Sequence, residues 1–452
     1  MVTPAERATR AEERAASLRG QGVVGVALTF VDNSGITRVK TIPVGRLSAA
    51  VSSGIGMSPC FDLFYGPDLP AGGPDGDLRI FPSLEALTVL AAQPGWAWAP
   101  VDRYEQDGTP YGSCQRTFTR RIQAAAEQRG LELTASFEVE FVLGLPTADG
   151  SFVPAAQGPA YGMIRQVERT DFLRDLLTAL ATEGIPVEQL HPEYAAGQYE
   201  LSVAPIGLVG AADRNVLARQ TIRAVAQQHG LRVSFSPKVE PDGVGNGSHI
   251  HLGVRRGGCN LLAGGDGPHG ITTDGASFLA GVLRELPALV AIGAPSPISY
   301  ARLIPSHWAG DYACWGRETR ESAIRFVTGI KGTEERAANF EVKAFDASAN
   351  PYLVAGAVAA AGLAGLESGA ELAPEITGDP ALWSEAEREA RDVRRLPTSL
   401  GDAVSELERS RVLLDALGDP LAATFLAVRR AEIAHAEQQS PEMVVAAARW
   451  VY

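Results

Sequence analysis

Glu138 and Glu140 sit two residues apart in SFEVEFVL (136–143), so on a strand both project from one face while Phe137, Val139 and Phe141 take the other. Two carboxylates side by side repel, and a cation, commonly a divalent metal, relieves that repulsion. A second acidic pair, Glu193 and Glu200 in QLHPEYAAGQYELSV (189–203), flanks an Ala-Ala-Gly bend that can return the chain and aim both acids into one site. His249 and His251 share a strand face in PDGVGNGSHIHLGV (241–254), after the glycines at 243, 245 and 247. A glycine-rich dinucleotide loop must open a helix, and this one opens a strand, so the better reading is backbone amides approaching a ligand beside a ligating histidine.

Arg302, Arg317, Arg320 and Arg325 crowd RLIPSHWAGDYACWGRETRESAIRF (302–326), among aromatic and small residues. The planar guanidinium fork matches carboxylate and phosphate oxygens, which points to a polyanionic substrate. In NFEVK, Asn339, Glu341 and Lys343 alternate with Phe340 and Val342 and give a further strand with one polar side. Carboxylates that hold Mg2+ or Mn2+, with arginines that neutralise phosphate, are the parts of a multi-metal phosphoryl-transfer site.

The elements that must position these groups are readable in outline. Residues 1–20 form a short charged helix, and 22–32 and 36–44 a hairpin around NSG. A helix over 117–130, the 136–143 strand and a Gly/Pro/Ala-rich loop over 144–162 follow. Then come a helix near 167–183, strands within 187–205, a helix near 211–229 and a strand pair around 231–254. The glycine-rich stretch 255–275 reads as an exposed loop. The last 110 residues or so read as mainly helical, with a capping box at Ser384 and Glu387. Strands and helices do not alternate as βαβ units, so the fold class is α+β, with a small β-rich N-terminal domain over 1–110 and a larger one over 111–452.

The 452-residue chain carries 53 acidic and 40 basic side chains, a net charge of −13, which disfavours nucleic-acid partners. Its four cysteines form no CxxC pair, which fits a reducing compartment rather than a disulfide scaffold. No apolar leader is visible near the N-terminus. The longest uncharged stretch, Ala347–Leu366, is mostly alanine and glycine, a buried helix rather than a membrane span. The expectation is a soluble cytoplasmic protein with no membrane partner.

The order E-x-E, H-x-E-x6-E, G-x-G-x-H-x-H, R-L-x-P, R-x4-R, E-V-K and A-N-P-Y-L resembles the glutamine synthetase superfamily, type I, over nearly the whole chain. The resemblance implies an N-terminal β-grasp domain, followed by a catalytic domain with a curved antiparallel sheet flanked by helices. It implies one metal held by Glu140, Glu193 and Glu200, and another by Glu138, His249 and Glu341. ATP would contact Glu188, His251, Arg320, Arg325 and Arg336, and glutamate would be gripped by Arg302 and the backbone around Gly245. Arg320, Arg325 and Lys343 would serve the phosphoryl transfer. Lys343 replaces a family arginine, so a bidentate contact becomes a point charge; Asn339 replaces a basic residue near the nucleotide. The implied chemistry is ATP phosphorylating the γ-carboxylate of glutamate, with an amine then attacking γ-glutamyl phosphate. The implied assembly is a homo-oligomer, a dodecamer of two stacked hexameric rings, in which each site is completed by the neighbour's N-terminal domain.

Two departures redirect the amine. Ammonia-using relatives bind ammonium with an aspartate and a glutamate; Ser58 in GIGMSPCFD and Trp308 in RLIPSHWAG take their places. Losing both anions removes what attracts NH4+, while an indole offers an apolar wall and a cation-binding face. The expectation is a glutamate–amine ligase for an organic primary amine, ethanolamine or a polyamine. Alternatives are an ammonia-using glutamine synthetase, rebuilt around Asp62 or Asp311, and a non-catalytic structural homologue. The negative charge of the chain would help attract any of these cations. Arg394 stands where some relatives carry an adenylylated tyrosine, so that control is predicted absent.

Overall fold

A computed structural model describes residues 4–66, 68–72 and 76–452. Helix α1 (Pro4–Gly20) buries Ala11, Ala15 and Leu18, spaced to form one apolar stripe. The predicted hairpin forms as β1 (Gly25–Val31) and β2 (Thr37–Pro43), antiparallel, with Phe30 opposite Arg38. Helix α2 (Leu47–Ser53), β3 (Ile55–Met57), β4 (Leu78–Pro82) and β5 (Trp96–Tyr104) follow. They complete a six-stranded sheet in the order β2-β1-β5-β4-β3, with Thr88–Val89 pairing on β5 and β1 parallel to β5. Val31, Leu90, Ala92 and Trp98 from this region join the main hydrophobic core rather than the smaller core beneath α1 and α2. We propose a domain boundary near residue 110, in the loop after β5.

Beyond it come α3 (Gln115–Gln128), the long strand β6 (Leu131–Gly144), α4 (Met163–Glu168) and α5 (Thr170–Thr182). Then follow β7 (Val187–Pro192), β8 (Gln198–Val203), α6 (Leu208–Gln228), β9 (Arg232–Ser234) and β10 (Ser248–Arg256). Helix α7 (Thr273–Gly293), strands β11 (Tyr312–Arg317), β12 (Ser322–Val327) and β13 (Asn339–Val342), and helices α8 (Pro351–Ser368) and α9 (Asp419–Ala436) complete the elements that matter here. The eleven-stranded sheet runs β7-β8-β6-β10-β13-β12-β11 along its main path, with Arg394–Arg395 at its edge. Its main-path neighbours are antiparallel except β11 and β12, which are parallel. The fold is therefore the mixed α+β architecture expected.

Three local expectations need correction. The strands within 231–254 do not pair with each other: β9 pairs with the end of β6 and β10 with most of the rest, because β6 is long enough to take both. The stretch 255–275 is exposed only in part: 256–259 and 266–268 are exposed, while Leu261, Leu262, Ala263 and Ile271 are buried. Its glycines divide accordingly: Gly257 and Gly258 turn at positive φ in open space, whereas a Cβ on Gly275 would lie 2.0 Å from the Leu261 carbonyl oxygen. The predicted helix near 167–183 is broken into α4 and α5 at Arg169.

By length and composition α7 and α8 could each cross a membrane, but most of each helix is buried inside the fold. Asn350 caps α8, accepting from the Tyr352 and Leu353 backbone, and its amide donates to Val31 and Asp32 carbonyls in the N-terminal hairpin. The capping box at Ser384 and Glu387 forms as read.

The β1–β2 turn is locked to α9 by buried polar groups. Asn33 donates to Thr424 Oγ1 (3.2 Å), Ser34 Oγ to Glu432 Oε1 (3.1 Å), and Arg429 Nη2 to the Asn33 carbonyl (2.9 Å). Burial pushes the Glu432 carboxyl up to about 7, against the pull of Arg429. The folded chain thus keeps this proton to higher pH than the unfolded chain, so the stability it lends is whole below the ordinary carboxylate range and is lost as pH rises towards 7. Thermal midpoints should fall between pH 4.5 and 7 through this group, and Glu432→Gln should flatten that slope; equal slopes in the two proteins would exclude the assignment.

Candidate functional site

Cross-strand register assembles the site. On one rung His191 of β7 faces Glu200 of β8, which faces Glu140 of β6. Nearby, Glu138 faces both Ser202 and His249, and on the next rung His251 of β10 faces Glu341 of β13, which faces Arg325 of β12. Directly opposed residues share a face, so these groups converge above Phe137, Val139 and Phe141, all buried underneath. The bend after Glu193 returns the chain as expected: the Glu193 N–H donates to the Gln198 carbonyl (2.9 Å). The result is a cavity of about 660 Å³.

Within it two groups of donors each gather to within 4.8 Å. In the first, His251 Nε2 stands 3.2 Å from both Glu138 Oε1 and Glu341 Oε2. His249 Nδ1 lies 3.4 Å from Glu138 Oε2 and 3.6 Å from Glu341 Oε2, so both imidazoles abut the two acids and His251 is the closer. In the second, His191 Nε2 is 3.2 Å from Glu200 Oε1 and its Nδ1 3.8 Å from Glu193 Oε1. Glu140 stands beside them with Oε2 engaged by the Gly247 N–H (2.8 Å) and the Gln198 amide (3.1 Å).

The electrostatics differ between the two groups. Burial raises the Glu140 and Glu200 carboxyls despite Arg302 and His191, and the neighbouring carboxylates add to that rise. Burial opposes ionisation of Glu138 as well, but the His249 and His251 imidazoles beside it outweigh that and hold the carboxyl low. Glu341 is likewise held low against burial, by Lys343 and His251. Burial lowers His249; His251 is raised against burial by its two acids.

The donor set fits divalent cations. Glu341 Oε2 and His251 Nε2 are buried without a hydrogen-bond partner, facing one another across the site. His251 Nδ1 donates to Asn339 Oδ1 (2.8 Å), which leaves Nε2 free to turn its lone pair to a metal. Asn339 therefore acts on His251. No sequence signal distinguished that role from a nucleotide contact.

Arg302, Arg320, Arg325 and Lys343 border the same cavity. Arg302 is buried, donates from Nη2 to the Lys343 carbonyl (3.0 Å), and has Nη1 buried without a partner. Arg325 is braced by Glu341 (2.9 Å) and Glu318 (2.8 Å), while Arg320 lines the cavity with its side chain exposed. Lys343 is buried with Nζ 3.8 Å from Glu341 Oε1. Gly245 leaves room for Arg302, whose Cγ would lie 2.5 Å from a Cβ there.

Trp308 lines the mouth and meets Tyr194 edge-on. Three expected site residues stay outside this lining. Glu188 is exposed at a bulge in β7, Arg336 is exposed on a short helix, and Ser58 caps the turn Pro59–Leu63 in the N-terminal region. Asp62 is buried against Arg103 (2.7 Å), and Asp311 lies 3.5 Å from Arg395; neither lines the cavity. Sequence reasoning missed His191, inside a motif it had quoted, and Tyr161, whose hydroxyl donates to Glu193 Oε1 and whose ring stacks on His191. It also missed Glu321, which accepts from the Trp308 N–H.

Comparison with known proteins places these features. The family described as glutamine synthetase, catalytic domain, matches residues 112–446. The chain is 55% identical over 450 residues to the gamma-glutamylpolyamine synthetase GlnA3 of Streptomyces coelicolor, covering 98% of this chain and 97% of that protein. It is 30% identical to the glutamine synthetase of Halobacterium salinarum, over 92% and 91% of the two chains. The crystal structure of a novel glutamine synthase homolog superposes with a TM-score of 0.85 at 33% identity, covering 95% of this chain and 99% of that one. A GmaS–ADP complex superposes with a TM-score of 0.83 at 28% identity, over 94% and 96%.

Gly247 is the tightest point of the site. A Cβ there would lie 2.5 Å from His249 Nε2, 2.8 Å from Arg302 Nη2 and 3.1 Å from Glu140 Oε1. Gly247→Ala should weaken Mn2+ binding at least about tenfold by displacing ligating groups, with far-ultraviolet circular dichroism unchanged. Calorimetric titration that shows wild-type Mn2+ affinity would refute this geometry.

Proposed function

Because the chain belongs to the glutamine synthetase family, as an ATP-dependent glutamate–amine ligase, we propose that its amine substrate is a polyamine and that the reaction passes through γ-glutamyl phosphate. The observation that carries the amine is Trp308, 45% exposed at the mouth of an acidic cavity and packed on Tyr194, where an ammonium site would need an acid. The gamma-glutamylpolyamine synthetase similar over nearly its whole length supports a polyamine over ethanolamine. The acids that could rebuild an ammonium site, Asp62 and Asp311, lie outside the cavity lining, as does Glu321, which accepts from the Trp308 N–H.

In the first step a γ-carboxylate oxygen of glutamate attacks the terminal phosphorus of ATP, the bond to the bridging oxygen breaks, and ADP leaves. In the second, the amine nitrogen attacks the acyl carbon, inorganic phosphate departs, and the nitrogen gives up a proton. Arg302, with a buried Nη1 lacking a partner, binds the α-carboxylate of glutamate. Arg320, Arg325 and Lys343 face the transferring phosphoryl group and offset its charge. Arg325 is already held rigid by two carboxylates, so little ordering is needed when the nucleotide arrives. Divalent metal, Mg2+ or Mn2+, held by Glu140, Glu193 and Glu200 and by Glu138, His249 and Glu341, would supply charge neutralisation at the phosphates. His251 and His191, at the same acids, complete these donor sets. Glu188 and Arg336 are proposed as outer contacts of the nucleotide. The chain works as a cytoplasmic homo-oligomer, a dodecamer, in which the Ser58 loop borders a neighbour's site.

ADP release with glutamate and a panel of spermidine, putrescine, ethanolamine and ammonium tests this reading. Turnover should be highest with a polyamine; ammonium turnover equal or better would overturn the amine assignment, and a preference for ethanolamine would replace the polyamine. In a second test, Trp308→Glu combined with Ser58→Asp should gain ammonium-dependent ADP release, and no gain would separate these positions from amine choice.

A further inference from the structure

Two aromatic rings meet at the mouth of the cavity. Tyr194 follows Glu193 in the bend between β7 and β8, and Trp308 lies in the loop 303–310; their centroids are 4.8 Å apart at 64°. They come from distant segments, yet each remains more than two-fifths exposed, Tyr194 at 42% and Trp308 at 45%. In the single chain the outer surface of this aromatic pair is open to a substrate and to whatever borders the site in the assembly. Tyr194 is fixed to the floor of the site, since its N–H donates to Glu193 Oε2 (3.0 Å). Both rings line the same cavity as the acids, so a cationic chain that extends outward from those acids can reach them.

Trp308 is held in this position against its backbone preference. Its φ is +54° and that of Ser306 is +59°, the left-handed region that a bulky side chain rarely adopts. Two tethers impose it. Ser306 Oγ donates to Asp379 Oδ2 (2.6 Å), and the Trp308 N–H is shared between both oxygens of Glu321 at 3.2 Å each. Glu321 does not line the cavity, so its effect on a substrate would run through the indole.

We propose that Tyr194 and Trp308 form a clamp for the methylene chain and distal ammonium of a polyamine, and that Glu321 is the positioning residue that holds Trp308 against Tyr194. The proposal rests on the polyamine reading given above. Methylenes pack on ring faces, and an ammonium is attracted by the negative face of an indole or phenol. A short amine that ends before the rings gains nothing from them, so the clamp selects by length and by a second charge.

Spermidine titrated into the full-length protein with Mg2+ and ADP, read by tryptophan emission, tests the clamp. Subtracting the response of Trp308→Phe isolates this indole. The wild type should show a saturable Trp308-dependent change. Glu321→Ala should weaken it about fourfold, the order expected for loss of an exposed cation–π contact, and Glu321→Gln, whose amide oxygen still accepts, should stay within about 1.5-fold of wild type. In steady state, Glu321→Ala should raise KM for spermidine while KM for glutamate and ATP stays near wild type; a rise in all three marks a merely structural role and overturns the proposal. Spermidine-dependent ADP release without the Trp308 signal overturns the clamp and leaves the polyamine reading standing. The signal without spermidine-dependent turnover does the reverse. Should Glu321→Ala fail to fold, the Glu321→Gln and Trp308→Phe titrations still decide the question.

Discussion

Carboxylates forced onto one face of one sheet are the constraint around which the molecule is arranged. Glu140 and Glu200 oppose each other across a strand pair, and Glu138 and Glu341 approach the same two imidazoles. Like charges directly opposite weaken a sheet unless a cation joins them. A core of Phe137, Val139 and Phe141 beneath β6 and two long apolar helices nearby hold the strands in register despite that repulsion. Arg302, Arg325 and Lys343 beside these acids balance part of the charge.

What the sequence made legible is what repeats at short range. The E-x-E and H-x-H spacings place side chains on one face wherever a strand forms, so Glu138, Glu140, His249 and His251 could be assigned to a face without knowing the sheet. His191 could not, because its partnership with Glu200 depends on the hairpin register between β7 and β8. Tyr161 reaches Glu193 from an irregular loop with no periodicity to read, and Glu321 meets the Trp308 backbone across a loop–strand contact. Asn339 was seen as a departure from a family pattern; only the position of its amide against His251 shows what the change does.

The same difference explains the misread stretch 255–275. Glycine is ambiguous in sequence, since it marks solvent-exposed loops and also places where two backbones touch. Here both hold: Gly257 and Gly258 turn in the open, while Gly275 lies against the Leu261 carbonyl and apolar residues near it turn inward. The two donor clusters and the aromatic mouth sit on elements from most of the length of the large sheet, so the site exists only when that sheet is complete.

The lock between the β1–β2 turn and α9 has a consequence for biosynthesis. Asn33 and Ser34 make contacts to Thr424 and Glu432, which are 391 and 398 positions later in the chain. At ribosomal speeds of about 5–20 residues per second, the hairpin waits roughly 20–80 s for its partner helix to emerge. Throughout that interval the polar turn lacks the partners that later bury it, which makes the nascent N-terminal segment a natural client for a chaperone.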